Sequence, residues 1–472
     1  MSADRAEEIQ NGETEGEGGP IEELKIAKFF PCVHYGYIIL AVCTIGKTLT
    51  APGQSPCIGV VINVIIEDID ISLTTVTALY FFATTASAIC LTRMGRIIDR
   101  VGVQKMVLVI AFMLGMACFV ISQARNVLVL LLSFFMLRFF GQGSLMMVSK
   151  MTINYWWVNL RGQMMGIAGA LVSLGMTGIF PIVLNAAITT IGWRPLYIRL
   201  GLVSVFFMAP LGYIFYRNQP ERYGMLPDGR ALEPTVATET DGTKAADDTH
   251  GSKEVAWLPK DAFRTVAFWS NSISLLIVAG TGTAFWFHLK GVMRDYSINP
   301  DFVNFIYPVL ALSSVVGRIW SGRLIDSFKE KGYLVLVAGL IMNGSCMVLV
   351  PTMAIHENFL VLVCIVQGVG GSFVMNVASV VYANYFGRKH LGEIQGLADA
   401  CGVLGSALGP LPFGYVRDVT GSFNSAFVFG AIFPFTCAVW VAIAGRRQLE
   451  KNKYLSLESK HENEIELTTT RV

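Results

Sequence analysis

An internal duplication constrains this chain more than any other feature. Gly95-Arg96-Ile97-Ile98-Asp99-Arg100 recurs as Gly322-Arg323-Leu324-Ile325-Asp326-Ser327, an offset of 322 − 95 = 227. Asn154-Tyr155-Trp156 recurs as Asn384-Tyr385-Phe386 at 384 − 154 = 230, and Gly166-Ile167-Ala168-Gly169 is matched at that same spacing by Gly396-Leu397-Ala398-Asp399. Unrelated motifs in one order at nearly one spacing mean that a single structural unit occurs twice.

Composition says where the two units sit. Hydrophobic residues make up 53% of the 472 and charged residues 15%, far too apolar for a soluble protein of this length. The apolar runs are as long as a bilayer is thick, and a chain surrounded by lipid must satisfy its backbone within helices. The expected fold is an all-α polytopic membrane protein with twelve spans, at 35–62, 74–94, 105–122, 126–150, 163–188, 196–216, 265–288, 302–321, 333–354, 358–383, 392–416 and 423–444. An even number of spans per unit returns each copy to the same side, so the six-helix repeats are parallel, related by an axis along the membrane normal.

Net charge, +2, decides nothing, whereas its distribution orients the chain. Segments 93–105, 217–264, 323–331 and the tail from Arg446 are rich in Lys and Arg, while 63–73 has none and carries Glu67, Asp68 and Asp70. Basic loops stay on the cytoplasmic side. The organisation expected is a disordered cytoplasmic N-terminus (1–34), a six-helix bundle (35–216), a cytoplasmic linker (217–264), a second bundle (265–444) and a cytoplasmic tail (445–472), most simply in the plasma membrane. The chain opens acidic and its first apolar run starts late, which fits no removable signal peptide. Nine cysteines are scattered singly, all but Cys32 inside the spans, as free buried thiols would be. Asn343-Gly344-Ser345 matches a glycosylation sequon but falls inside a span.

The glycine-acid-basic segment between the second and third spans, Gly95 through Asp99-Arg100 with Gly102 and Lys105, resembles the signature loop of the major facilitator superfamily. Arg138-x-x-Gly141-Gln142-Gly143 resembles that family's fourth-helix motif, and the likeness covers residues 33–445. Within the family, Pro52-Gly53-Gln54-Ser55, Arg318, Gln219-Pro220-Glu221-Arg222-Tyr223-Gly224 and Asn384 through Gly392 resemble the oxalate/formate antiporter and monocarboxylate porter branch. The resemblance implies alternating access, with the loop stabilising the state open to the outside. Gly95, Asp99 and Arg100 inherit a gating role by position, and Gly322, Arg323 and Asp326 a weaker one, because Ser327 replaces the basic residue. On physical grounds the two glycines suit tight turns, and the two aspartates are placed to face helix N-termini of the opposite unit, whose dipoles favour anions. Otherwise both loops simply hold topology through their basic residues.

Where the units differ, the charges carry the information. Lys47, Arg138 and Arg318 lie a dozen or more residues inside apolar spans, and a charge there must face protein or water. None is duplicated: the offset of 227 maps Arg318 to Leu91, and the 225 that aligns Gln142 with Gln367 maps Arg138 to Val363. One acid, Asp399, is comparably placed, so the cavity attracts anions. Arg318 resembles the branch's substrate-binding arginine, whose planar fork holds a carboxylate with two hydrogen bonds; the alternative is snorkelling to the cytoplasmic interface. Arg138 resembles an arginine associated with proton coupling, or else makes a structural bond to backbone. Lys47, on a span that Pro52, Gly53 and Pro56 should break, either carries the proton, neutralises the anion or reaches the cytoplasmic mouth. Asp399 pairs with a basic residue of the first-unit loop, takes a proton, or is an interfacial carboxylate. The branch's eleventh-span lysine is missing between Leu391 and Arg417, which favours a monocarboxylate over a dicarboxylate.

Tyr80 and Tyr307 are candidate walls for the substrate's apolar end among the aromatics of the second, seventh and eighth spans, most of which should pack or form an interface belt, as Trp156 and Trp157 should at a span end. The phosphate-loop-like Gly46-Lys47-Thr48 lacks its leading glycine, and no HExxH or GxSxG occurs. The chain therefore reads as a secondary transporter of a small organic anion, by proton symport or anion exchange. It calls for no cofactor, enzyme activity or nucleic acid, and a monomer suffices. An inorganic-anion or amphiphile carrier of the same fold and a non-transporting nutrient sensor are the other readings.

Overall fold

A computed structural model describes residues 34–229, 256–299, 302–328 and 331–469. The segments expected to be disordered, 1–33 and 230–255 within the terminus and linker, lie outside the described residues. Twelve helical rods follow one another. The rods α2 (Leu73–Val101), α3 (Val103–Ser122), α7 (Val266–Asp295), α8 (Val303–Phe328) and α10 (Phe359–Phe386) are continuous. In α4, Val127–Met136 and Met146–Trp156 flank a wide π-turn at Leu137–Leu145, and α6 combines Trp193–Val203, a π-turn at Ser204–Met208 and Ala209–Phe215. In α9, Tyr333–Leu349 ends in a 3-10 turn at Val350–Ala354, and α12 runs as Phe423–Gly430 and Ile432–Thr469. These nine are long and apolar enough to cross a bilayer. The other three are interrupted: α1 (Tyr35–Thr48, Ala51–Gly53, Ser55–Ile69), α5 (Arg161–Ser173, Leu174–Ile179, Phe180–Ile191) and α11 (Leu391–Leu408, Pro410–Thr420). Together they make the twelve membrane helices of two parallel six-helix repeats.

Local chemistry sets the boundaries. Ser72 accepts from Thr75 N at 3.1 Å to open α2, Asn126 from Val129 N at 2.9 Å to open α4, and Thr265 from Phe268 N at 3.1 Å to open α7. Each supplies an acceptor for an amide that the first turn leaves unpaired. A single residue, Gly102, joins α2 to α3 at φ 92°, a left-handed conformation costly for any residue with a Cβ.

The elements correct the expected turn. Gly95 and Gly322 lie inside α2 and α8, several residues short of their ends. Their glycines serve contact instead: a Cβ on Gly95 would stand 1.9 Å from Gly392 O, and one on Gly322 would stand 2.6 Å from Gly162 O. Thus α2 of the first repeat touches the start of α11, and α8 of the second touches the start of α5. These contacts, and the loops joining α2–α3, α4–α5, α8–α9 and α10–α11, share one end of the molecule, called here the loop end.

Trp156 and Trp157 are also not belt residues. Both are buried, at 0% and 1% exposure. Trp156 Nε1 donates to Asn218 O at 2.9 Å, tying α4 to the chain leaving α6, and its ring stacks near Tyr223 of that segment with centroids 6.5 Å apart. The α6 exit needs a lid over the α4 terminus, which outweighs any preference of tryptophan for the lipid interface.

Candidate functional site

The break in α1 begins the site. The first half of the rod ends at Thr48 and a 3-10 turn, Ala51–Gly53, precedes the second. Gly53 lies against the π-turn of α4, where an added Cβ would stand 2.1 Å from Leu137 O. A π-turn widens the backbone and frees carbonyls, a recurrent device at binding sites. Into this gap α4 sends Arg138, whose Nη1 donates to Gly53 O and Ser55 Oγ, both at 3.2 Å, and whose Nη2 reaches Ser406 Oγ of α11 at 3.4 Å. Tyr80 supports it: the guanidinium lies 5.0 Å from the ring centroid, and the hydroxyl bonds Ser55 Oγ at 2.9 Å. The two terminal nitrogens of Arg138 are thus engaged by a backbone carbonyl and hydroxyls, while its Nε is buried without a hydrogen-bond partner.

A second group of charges forms a separate layer. Counted from the loop end of each rod, Lys150 is 156 − 150 = 6 residues in, Asp399 399 − 391 = 8, Arg318 328 − 318 = 10 and Lys47 47 − 35 = 12. At about 1.5 Å per residue, these are depths of about 9 to 18 Å; Arg138, at 156 − 138 = 18 residues, is about 27 Å deep. Lys47 feels the charges of Arg318, Lys150 and Asp399. Four side chains from α1, α4, α8 and α11, two in each repeat, therefore converge between the halves.

Their pairing is unequal. Lys150 Nζ donates to both oxygens of Asp399, at 2.6 and 2.7 Å, and Gln395 Nε2 donates to Oδ1 at 3.1 Å. Asp399 accordingly meets a lysine of α4, not the loop cation that one of its three sequence readings gives it. Lys47 is 4% exposed and, like Arg318, has no carboxylate partner among the described residues. Arg318 runs across the interface onto α5: a Cβ at Gly169 would stand 2.7 Å from its Cδ and 3.0 Å from Nη1. Its Nε is buried without a hydrogen-bond partner. That course leads to the opposite half, not along a snorkel to the surface, and leaves a donor aimed at nothing the protein supplies. Tyr307 is not part of this layer; it stacks on Trp286 with centroids 5.5 Å apart, 318 − 307 = 11 residues farther along α8.

Between this layer and the loop end, the halves are clasped. Asp99 accepts from Gly392 N and Glu393 N at 2.9 Å each, and Asp326 accepts from Gly162 N and Gln163 N at 2.7 Å each. Two carboxylates from one repeated motif thus cap the N-termini of α11 and α5 in the opposite repeat, where free amides and the helix dipole favour an anion. The second copy makes the same contact despite Ser327. Arg100 and Arg323 are exposed, with no partner among the described residues. Cations also reach across at this end: Arg96 lies 2.5 Å from Glu393, Arg161 donates to Asn384, and Arg388 donates to Tyr155 O at 2.8 Å and Glu221 at 2.7 Å.

Comparison with known proteins places these features. The family model for the Major Facilitator Superfamily matches residues 38–354 and 272–466. Monocarboxylate transporter 13 of Rattus norvegicus is 29% identical over 150 residues, 31% of this chain and 34% of that protein, so the match spans about a third of the relative. A probable sulfoacetate transporter of Cupriavidus necator is 23% identical over 351 residues, covering 71% of this chain and 76% of its own. Among solved structures, the human organic anion transporter MFSD10 superposes with a TM-score of 0.61 at 12% identity, over 86% of this chain and 99% of that one. At that identity the likeness speaks to fold alone.

Proposed function

Because the chain belongs to the Major Facilitator Superfamily, we propose that it carries a small organic anion, a monocarboxylate, across the membrane by alternating access, coupled to protons or to a counter-anion. One observation carries the reading: a buried lysine, Lys47, and a half-buried arginine, Arg318, lie at neighbouring depths on opposite repeats with no carboxylate partner among the described residues. An isolated buried charge costs several kcal/mol, and a substrate anion entering between the two offsets that cost. Arg318 offers a planar fork suited to both carboxylate oxygens, and Lys47 adds a point charge. Relatives named for monocarboxylate and sulfoacetate transport are consistent with such a site.

On the reading that basic loops stay inside, the loop end is cytoplasmic. The clasp at that end then marks a conformation closed to the cytoplasm, and transport requires Asp99 and Asp326 to leave the N-termini of α11 and α5 as the bundles 35–216 and 265–444 rock. Lys47 and the Lys150–Asp399 pair are the titratable groups along that route. The test is counterflow into proteoliposomes of purified protein with lactate, pyruvate, formate, oxalate and nitrate. Saturable exchange of monocarboxylates supports the reading; exchange of nitrate alone replaces it with an inorganic-anion carrier, and exchange of none rejects it.

A further inference from the structure

The charged layer contains three cations, of which Lys47 and Arg318 have no carboxylate partner among the described residues. Lys150 is held by both oxygens of Asp399 across the interface between the repeats. The pair is nearly enclosed, its side chains 11% and 12% exposed, and Gln395 fixes the carboxylate from one turn away on α11. Tyr382 and Cys401 lie within the field of Asp399, and Lys47 lies within the fields of both partners. Asp399 is therefore an internal carboxylate that occupies one cation of the site.

We propose that Asp399 is a positioning residue that limits the charge of the transported anion: by holding Lys150 it leaves two cations, Lys47 and Arg318, for the substrate. Arg318 can take both oxygens of a carboxylate and Lys47 one of them, so both cations serve a single carboxylate group. A third free cation in the same layer calls for a second anionic group on the ligand. Loss of the Asp399 charge adds one unit of net positive charge to the layer. A full charge added to an enclosed layer alters the balance between a dianion and a monoanion strongly. This inference rests on the anion-carrier reading above.

The test measures binding of pyruvate and malonate, and of nitrate and sulfate, to the purified full-length protein at pH 7.5. Asp399→Asn is expected to raise the dianion-to-monoanion affinity ratio by about tenfold or more. Asp399→Glu keeps the charge and should keep the parental ratio. The double variant Asp399→Asn, Lys150→Met restores the net count and should return the ratio to the parent's, which also tests the idea if the single variant folds poorly. A ratio unchanged in Asp399→Asn, or both affinities falling together without recovery in the double variant, gives the pair a purely structural role and overturns the proposal. Binding of none of the four anions by the parent protein overturns the carrier reading and this proposal with it.

Discussion

At the scale of single residues, the informative groups are those whose partners are missing from the protein. Arg318 has a buried Nε with no acceptor. Arg318→Ala is therefore expected to abolish saturable anion uptake while the protein still reaches the membrane, and Arg318→Lys to restore little, because a point charge cannot bind both carboxylate oxygens; parent-like uptake by the alanine variant removes Arg318 from the binding site. Lys47 is buried among like charges, so Lys47→Gln should flatten the response of uptake to an imposed pH gradient more than it raises KM. An unchanged gradient response points to exchange rather than symport. Lys47, Arg138, Arg318 and Asp399 are legible in sequence because each interrupts an apolar run. Lys150 is not: a lysine after an apolar stretch reads as the end of a span, whereas α4 continues to Trp156 and carries Lys150 inside. Pairing is equally hidden, since nothing in one dimension says that residues 150 and 399 meet.

At the scale of elements, close approach of backbones does the positioning. Gly53 holds the α1 break against the π-turn of α4, and the obstacle to a larger residue is backbone, since Leu137 O lies 2.1 Å from where a Cβ would stand. Gly53→Ala should cost about 1–3 kcal/mol by displacing the break, read as a lower melting temperature together with weaker anion binding; a stable variant with unchanged binding means that the break tolerates movement. The clasp gives the matching prediction at the loop end. Asp99→Asn replaces a charge-assisted contact and should shift the equilibrium toward the state open at that end by about 1–2 kcal/mol. Single cysteines on the two faces of a cysteine-free background report it: labelling from the loop end should rise and from the far end fall. Equal rates with transport lost assign Asp99 to folding. The motif's position at an interface is readable from its repetition, but the use of its glycine is not, because a glycine in a sequence does not distinguish a left-handed φ, as at Gly102, from contact between helices, as at Gly95.

For the whole molecule, the duplication foretells the architecture well because a repeat cannot be accidental in two motifs at once. Three rods, α1, α5 and α11, lack the long unbroken apolar stretch of the other nine, and each is interrupted within the site region. The break in α1 is legible from Pro52, Gly53 and Pro56, whereas a periodic apolar pattern does not record those in α5 and α11. The two repeats also diverge at equivalent places: the offset of 230 pairs Gly169 with Asp399. In one half that position makes room for Arg318, and in the other it binds Lys150. A shared scaffold with unlike side chains at one layer is how a pseudosymmetric frame presents an asymmetric ligand site.

The aspartate clasps have a consequence for mutational tolerance. Asp99 and Asp326 are met by main-chain amides at positions 392, 393, 162 and 163. No ordinary side-chain exchange at Glu393 or Gln163 can delete such a donor; proline alone lacks the N–H. Gly392 and Gly162 are restricted for a different reason, because a Cβ on either would stand 2.6 Å from the aspartate oxygen it serves. Drift is thus free to alter charge and size at two of the four positions while the clasp persists, and the genetic lesions that open it concentrate on two aspartates, the four glycines Gly95, Gly162, Gly322 and Gly392, and new prolines.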